Sequence, residues 1–101
     1  MLTQITAGLY FNPDTRRVFA HQQTFDLPAK EVELFMALAS YPGKVITNRR
    51  LCSIIWSQKS SNDSAPGRLR RIVERLRQRI GRKWIESIHG RGYRIAVKEV
   101  A

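Results

Sequence analysis

The chain has 101 residues, 43% of them hydrophobic, which is enough for one modest core and too short for a second independent domain. Lys and Arg outnumber Asp and Glu by 18 to 8, and the formal charge of +10 points to a polyanionic partner. The hydrophobic fraction and the low Gly and Pro content exclude a disordered basic tail, so a single domain over residues 1–101 is expected to carry this charge.

The sequence offers no catalytic or metal-binding pattern. Cys52 is the one cysteine, and the His and carboxylate residues fall in no metal-ligand spacing, so we expect no metal and no other cofactor. The carboxylates are scattered among cations, and neither a phosphate-binding glycine loop nor a Ser-His-acid arrangement occurs, which disfavours an enzyme. Without a signal peptide or a membrane-length apolar run, the segment is expected to be cytoplasmic and to make no membrane contact.

The first third of the chain predicts a small antiparallel sheet over residues 8–26. A short apolar run at residues 9–11 ends at the turn sequence 12–15, in which Pro pre-sets φ and the flanking Asn and Asp bond their own backbone. Two further apolar runs, 18–20 and 24–25, continue this meander.

Three helices are predicted next. The first covers residues 28–40, and its apolar side chains span roughly 200° of the helical wheel, so we expect it to pack on two sides. The second covers 47–56 with Thr47 as its N-cap, and the third covers 64–80 with Ser64 or Asp63 as its cap.

The third helix combines an apolar stripe with arginine at almost every other position. Residues 68–83 contain eight cations and one acid, Glu74, so intrahelical ion pairs cannot account for the charge. An α-helix fits the major groove, where Arg reads guanine, Gln reads adenine and Glu accepts from cytosine. We therefore expect base contacts from Arg71, Glu74, Arg75 and Gln78, and phosphate contacts from Arg68, Arg70, Arg77 and Arg79. Binding of this helix to a membrane or to a calmodulin-like groove would need an exposed apolar stripe, whereas we expect these aliphatic residues to be buried in the core.

The chain ends in a predicted hairpin over residues 84–98. Its two strands flank the turn His89-Gly90-Arg91-Gly92, which places cationic or titratable side chains at the tip.

Several strings in this order are typical of one family. The strings are FDL at 25–27, EVELF at 31–35, YPGKVITNRRL at 41–51, Trp56, LRQRI at 76–80 and IHGRGYRI at 88–95. Together they resemble the DNA-binding effector domain of OmpR/PhoB-type response regulators. The resemblance implies an α+β winged helix-turn-helix with an N-terminal antiparallel sheet, three helices and a C-terminal hairpin wing. It also implies sequence-specific binding of double-stranded DNA in bacterial transcription regulation.

The resemblance implies residue roles as well. Its recognition helix matches residues 66–80, with Arg71, Glu74 and Arg75 in the major groove and Arg77 on the backbone. Its wing residues, expected at the adjacent minor groove or its phosphates, match Ser87, His89 and Arg91. The loop Ser57–Ser64 matches the segment that can touch RNA polymerase, and two copies on tandem DNA sites are expected.

Departures from the family pattern predict a different base preference. Gly67 stands where Arg is common, Arg70 where Asp is common, and Ile72 where His is usual. Arg49 and Arg50 are candidates for backbone contact, while Trp56 is either a core anchor or a phosphate contact. The rival function is a winged-helix module for protein interaction with only nonspecific affinity for nucleic acid.

Overall fold

The computed structural model describes residues 2–56 and 65–97. In this part of the chain a four-stranded antiparallel sheet is followed by three helices and a three-stranded sheet, which confirms the predicted α+β winged-helix fold. The predicted polymerase-contact loop and the predicted caps Asp63 and Ser64 lie outside the described residues, as do residues 98–101.

The N-terminal sheet has one strand more than predicted. Its strands are β1 (Thr3–Thr6), β2 (Leu9–Asn12), β3 (Arg17–Ala20) and β4 (Gln23–Asp26), paired in chain order. The predicted start of the sheet at residue 8 was wrong, since β1 begins at Thr3. The sequence does not reveal this strand because it holds one apolar residue, Ile5, and therefore shows no alternation of apolar and polar residues. By pairing with β2 it forms an edge strand of the sheet that the local sequence does not predict. The face of the sheet turned to the core is formed by Leu9, Phe11, Val18 and Ala20.

Helix α1 (Ala29–Ala39) lies at the centre of the molecule. The Phe35 ring packs 5.5 Å from the Phe11 ring of the sheet, centroid to centroid, while other side chains of α1 contact the two remaining helices. Burial of Val32, Leu34 and Leu38 on top of this contact confirms that the helix packs on two sides.

Helix α2 (Asn48–Ile55) begins where the sequence predicts. The Thr47 side chain accepts a hydrogen bond from the Arg50 amide at 3.2 Å, so Thr47 is the N-cap. Helix α3 (Ala65–Ile80) follows and buries one face against α1 and α2. That face consists of Leu69, Val73, Leu76 and Ile80, with Ile72 partly buried at its edge.

The C-terminal hairpin belongs to a small sheet. Strands β6 (Ile85–Ile88) and β7 (Gly92–Ile95) form the hairpin, called the wing below, and β5 (Ile46–Thr47) pairs with β7 on its other edge. A 3-10 turn, Arg82–Trp84, connects α3 to β6. Because β5 immediately precedes α2, this pairing fixes the wing to the start of the second helix.

The close approach of β5 to β7 predicts that a methyl group added at Gly92 destabilises the domain. A Cβ at Gly92 would overlap the Ile46 carbonyl oxygen, so Gly92→Ala is expected to lower the free energy of unfolding by about 1–3 kcal/mol. A Cβ at Gly67 in α3 meets no described atom within 4 Å, so Gly67→Ala should raise stability by about 0.5–1 kcal/mol. Urea denaturation of both variants is the measurement, and an unaltered midpoint for Gly92→Ala would contradict the packing described.

Candidate nucleic-acid interface

Helix α3 presents a cationic face to solvent. Because its apolar stripe points into the core, the 3.6-residue period turns Arg71, Arg75 and Gln78 outward, and all three are exposed, as is Arg70 beside them. No carboxylate of residues 2–56 or 65–97 forms an ion pair with Arg70, Arg71 or Arg75. Among the described residues, the centre of the predicted recognition surface is therefore a row of positive charge without an acidic partner.

The flank of α3 next to the wing holds a hydrogen-bonded cluster. The Arg77 side chain is only 12% exposed, and its Nε and Nη2 atoms donate to the Ile85 carbonyl oxygen at 3.2 and 2.9 Å. Nη2 also donates to the Ser87 hydroxyl at 2.8 Å, and Nη1 donates to the Glu74 carboxylate at 3.1 Å. The second oxygen of Glu74 accepts from Arg82 at 2.7 Å. These residues, with Tyr93, form what we call the wing clamp: Glu74, Arg77, Arg82, Ile85, Ser87 and Tyr93.

The wing clamp brings three predicted DNA-contact residues together, because Arg77 bonds to both Glu74 and Ser87. The sequence analysis expected Glu74 to read a base, Arg77 to meet a phosphate and Ser87 to reach DNA from the wing. In the structure the Arg77 guanidinium turns towards β6, and both oxygens of Glu74 already accept from arginines. The helical wheel could not predict this, because it gives the direction of a side chain from the helix axis and not its partner on another element.

The opposite flank of α3 borders a groove of about 480 Å³ beside the first turn of α1. The guanidinium carbon of Arg68 lies 4.6 Å from the centre of the Trp56 ring, a cation–π contact that keeps this charge at the groove edge. Lys30 also lines the groove and donates to the Ile55 carbonyl oxygen at 3.0 Å. Sequence reasoning missed Lys30, since only the packing of α1 against α3 brings it to this surface.

An ion pair between α1 and α3 crosses the floor of this groove. The Nε atom of Arg79 lies 2.7 Å from the Glu31 carboxylate, whose side chain is 4% exposed, whereas that of Arg79 is 44% exposed. Arg79, which the sequence analysis expects to contact phosphate, has a buried counter-ion within the protein. The pair neutralises a carboxylate that would otherwise stand unpaired in the core.

The tip of the wing lies beside the start of α2. His89 and Arg91 are exposed there, and the Asn48 amide donates to the Arg91 carbonyl oxygen at 2.9 Å. Arg49 and Arg50, in the first turn of α2, are exposed as well. The two sets of predicted backbone contacts therefore lie on neighbouring elements.

The described residues contain no cluster of three or more His, Cys, Asp or Glu side chains that could hold a metal ion. Burial raises the pKa of the Cys52 thiol, and the nearby charge of Arg68 opposes that shift. A raised pKa disfavours the thiolate at neutral pH. Within residues 2–56 and 65–97, no helix is long and apolar enough to cross a bilayer.

A basic third helix, a preceding helix that packs against it and a hairpin beside both define the winged helix-turn-helix class. Residues 22–95 match the family model described as "Transcriptional regulatory protein, C terminal". The chain belongs to this family, that of the OmpR/PhoB-type effector domains, which is a family of transcription regulators and not of enzymes.

Relatives and solved structures agree with this membership. The transcriptional regulatory protein SrrA of Staphylococcus aureus is 33% identical over an alignment of 99 positions, with 89% of this chain and 39% of SrrA covered. The response regulator DrrB of Thermotoga maritima, an OmpR/PhoB homolog, has 27% identity and a TM-score of 0.79, with 94% of this chain and 44% of DrrB covered. The DNA-binding domain of AdeR, solved with an intercistronic region, shares the fold at 19% identity, with a TM-score of 0.75 and coverage of 90% and 95%. The chain thus spans about two fifths of the curated relative's length.

The Arg79–Glu31 pair predicts that two arginines of α3 differ in their effect on stability. Arg79→Ala leaves the buried Glu31 carboxylate without its donor and is expected to lower the free energy of unfolding by about 1–3 kcal/mol. Arg70→Ala, on the exposed surface of the same helix, should change it by less than about 0.5 kcal/mol. Urea denaturation at pH 7 compares the two, and equal midpoints would contradict a stabilising ion pair.

Proposed function

We propose that this chain is a sequence-specific, double-stranded-DNA-binding domain of a bacterial transcriptional regulator. The observation that carries the proposal is the exposed arginine face of α3, which has no acidic partner within residues 2–56 and 65–97 and is held outward by a buried apolar stripe. An α-helix of this kind fits the major groove, and a hairpin beside it reaches the adjacent minor groove. Membership of a regulator family supports the same function.

The exposed residues divide by the part of DNA they can reach. Arg71, Arg75 and Gln78 are exposed on the side of α3 away from its buried stripe, so we assign them to base edges. Residues on either side of this row meet the phosphate walls of the groove, where positive charge sets affinity without reading sequence. This phosphate-contacting set comprises Arg68, Arg70 and Lys30 along α3 and its groove, Arg49 and Arg50 on α2 with Trp56 at its C-cap, and His89 and Arg91 on the wing.

The wider biological assignments are part of the same proposal. They are a cytoplasmic location, the absence of catalytic activity and of cofactors, binding as two copies on tandem sites, and contact with RNA polymerase through residues 57–64. Family membership supports each of them, and AdeR, with its DNA-binding domain solved in complex with an intercistronic region, offers a parallel for the DNA contact.

A second candidate is a protein-interaction module with only nonspecific affinity for DNA. Exposed apolar side chains on the outer side of α1 and α2 favour it: Met36, Tyr41 and Ile54 line a groove of about 350 Å³ away from the arginine face. Such a module would bind DNA through charge alone, so its affinity would fall steeply with salt whatever the sequence.

Selection of binding sites from randomised duplex DNA at about 150 mM salt separates the two candidates, because nonspecific attraction is already damped there. Enrichment of a short motif, repeated directly at helical-turn spacing, is the expected result. A pool that stays random after several rounds, with binding lost as salt rises, would contradict sequence-specific recognition and favour the interaction module.

Two arginines of α3 then test the division of roles. Arg75→Ala should weaken binding to the selected site by about 1–3 kcal/mol, relax the preference at one base position and change binding to random DNA less. Arg70→Ala, the matched control, should weaken selected and random duplexes about equally and reduce the salt slope by about 1. Titrations of both variants on both duplexes provide the measurement, and equal losses on the two duplexes for Arg75→Ala would refute its assignment to a base.

A further inference from the structure

We propose that Arg77 is a positioning residue that holds the wing at a fixed angle to α3, with Glu74 as its counter-ion. This inference rests on the proposed function, since the fixed angle matters for DNA that both elements contact. It replaces the direct DNA contacts that the resemblance implies for these two side chains.

The first argument is the geometry of the guanidinium. Arg77 lies in the last turn of α3, and its donors reach a backbone carbonyl and a hydroxyl on β6, the first strand of the wing. Its guanidinium carbon also lies 5.8 Å from the centre of the Tyr93 ring on β7, so both strands of the hairpin contact one side chain. A side chain that is 12% exposed and donates four hydrogen bonds within the protein is committed to the protein interior.

The second argument is the register of the hairpin. Ile85 pairs with Ile95 and Ser87 pairs with Tyr93, so the residues at 85, 87, 93 and 95 share one face of the wing. Ile85 and Ile95 on that face are buried in the core. The Arg77 contacts continue the same face outward beyond the apolar core, where polar bonds are needed to hold the hairpin against the helix.

The third argument concerns Glu74. Its carboxylate accepts from Arg77, three residues further along α3, and from Arg82 in the 3-10 turn that leads into β6. One acid thus ties the helix to the connecting turn and orients the guanidinium that reaches the strand. A bidentate carboxylate with both oxygens occupied has less capacity to accept from a cytosine amino group.

The consequence for DNA binding is cooperation between two contact surfaces. If the angle between helix and wing is set before binding, the wing-tip residues add their contacts without the entropy cost of ordering the hairpin. Removal of Arg77 should therefore reduce the contribution of the wing tip, although the tip itself is unchanged. Residues that do not share this clamp should contribute independently of Arg77.

A double-mutant cycle between Arg77 and Arg91 tests this coupling on the selected duplex. In the unmodified chain, Arg91→Ala is expected to lower the affinity for the selected duplex about fivefold or more. In the Arg77→Met variant, the same change should lower that affinity by less than about twofold. Arg77→Lys should behave like Arg77→Met, because one ammonium group cannot reproduce the planar fork on the Ile85 carbonyl. The control cycle pairs Arg77→Met with Arg70→Ala, whose effects should be additive. Additive effects of Arg77→Met and Arg91→Ala would overturn the proposal and restore Arg77 as a phosphate contact.

Hydrogen exchange of the free chain gives a readout that needs no DNA. Ser87→Ala and Glu74→Gln, which remove single bonds of the clamp, should speed amide exchange in β6 and β7 and leave α1 unchanged. Unchanged exchange in the wing would overturn the clamp even if DNA binding holds. Conversely, these variants could show faster exchange in the wing while site selection from randomised DNA enriches no motif. That combination would support the clamp and contradict the proposed function.

Site selection with the Glu74→Gln variant distinguishes a positioning role of Glu74 from direct contact with a base. If Glu74 acts only through Arg77 and Arg82, the variant should recover the same motif as the unmodified chain. A changed base at one position would assign Glu74 to direct readout and overturn its part of the proposal.

Discussion

The burial of four aliphatic side chains on one face of α3 is the constraint from which the other features follow. Leu69, Val73, Leu76 and Ile80 fix the rotation of the helix about its own axis, and full burial of side chains of this size is the main stabilising term available to a small domain. Once that rotation is fixed, each arginine of the helix has a defined direction. The outward row, the wing flank and the groove flank are consequences of one packing contact.

The few acidic residues near α3 decide which arginines remain available to a partner. Glu31 and Glu74 pair with Arg77, Arg79 and Arg82, while the outward arginines have no carboxylate within the described chain. The excess of charge is therefore arranged in two classes. Paired arginines hold helix, turn and hairpin together, and unpaired ones form the surface that attracts a polyanion.

Local sequence signals predicted the elements well and individual side chains less well. The predicted helix limits agree with the structure to within one residue, because caps, breakers and apolar periodicity are local properties. Strand β1 was missed since it has a single apolar residue and gains its place by pairing with β2. The positions of Lys30 and Ser87 in the site depended on neighbours in other elements, which no periodicity reveals.

The sequence by itself determined the fold class, the basic third helix, the hairpin and the family resemblance, since each depends on residues close together along the chain. Only the tertiary structure decided which cations were already bound within the protein. Arg79 finds its counter-ion 48 residues away on α1, and Arg77 finds its acceptors across a turn on β6. An ion pair or a hydrogen bond forms between atoms that the fold brings within about 3 Å, and such a distance is a property of packing, which sequence spacing does not record.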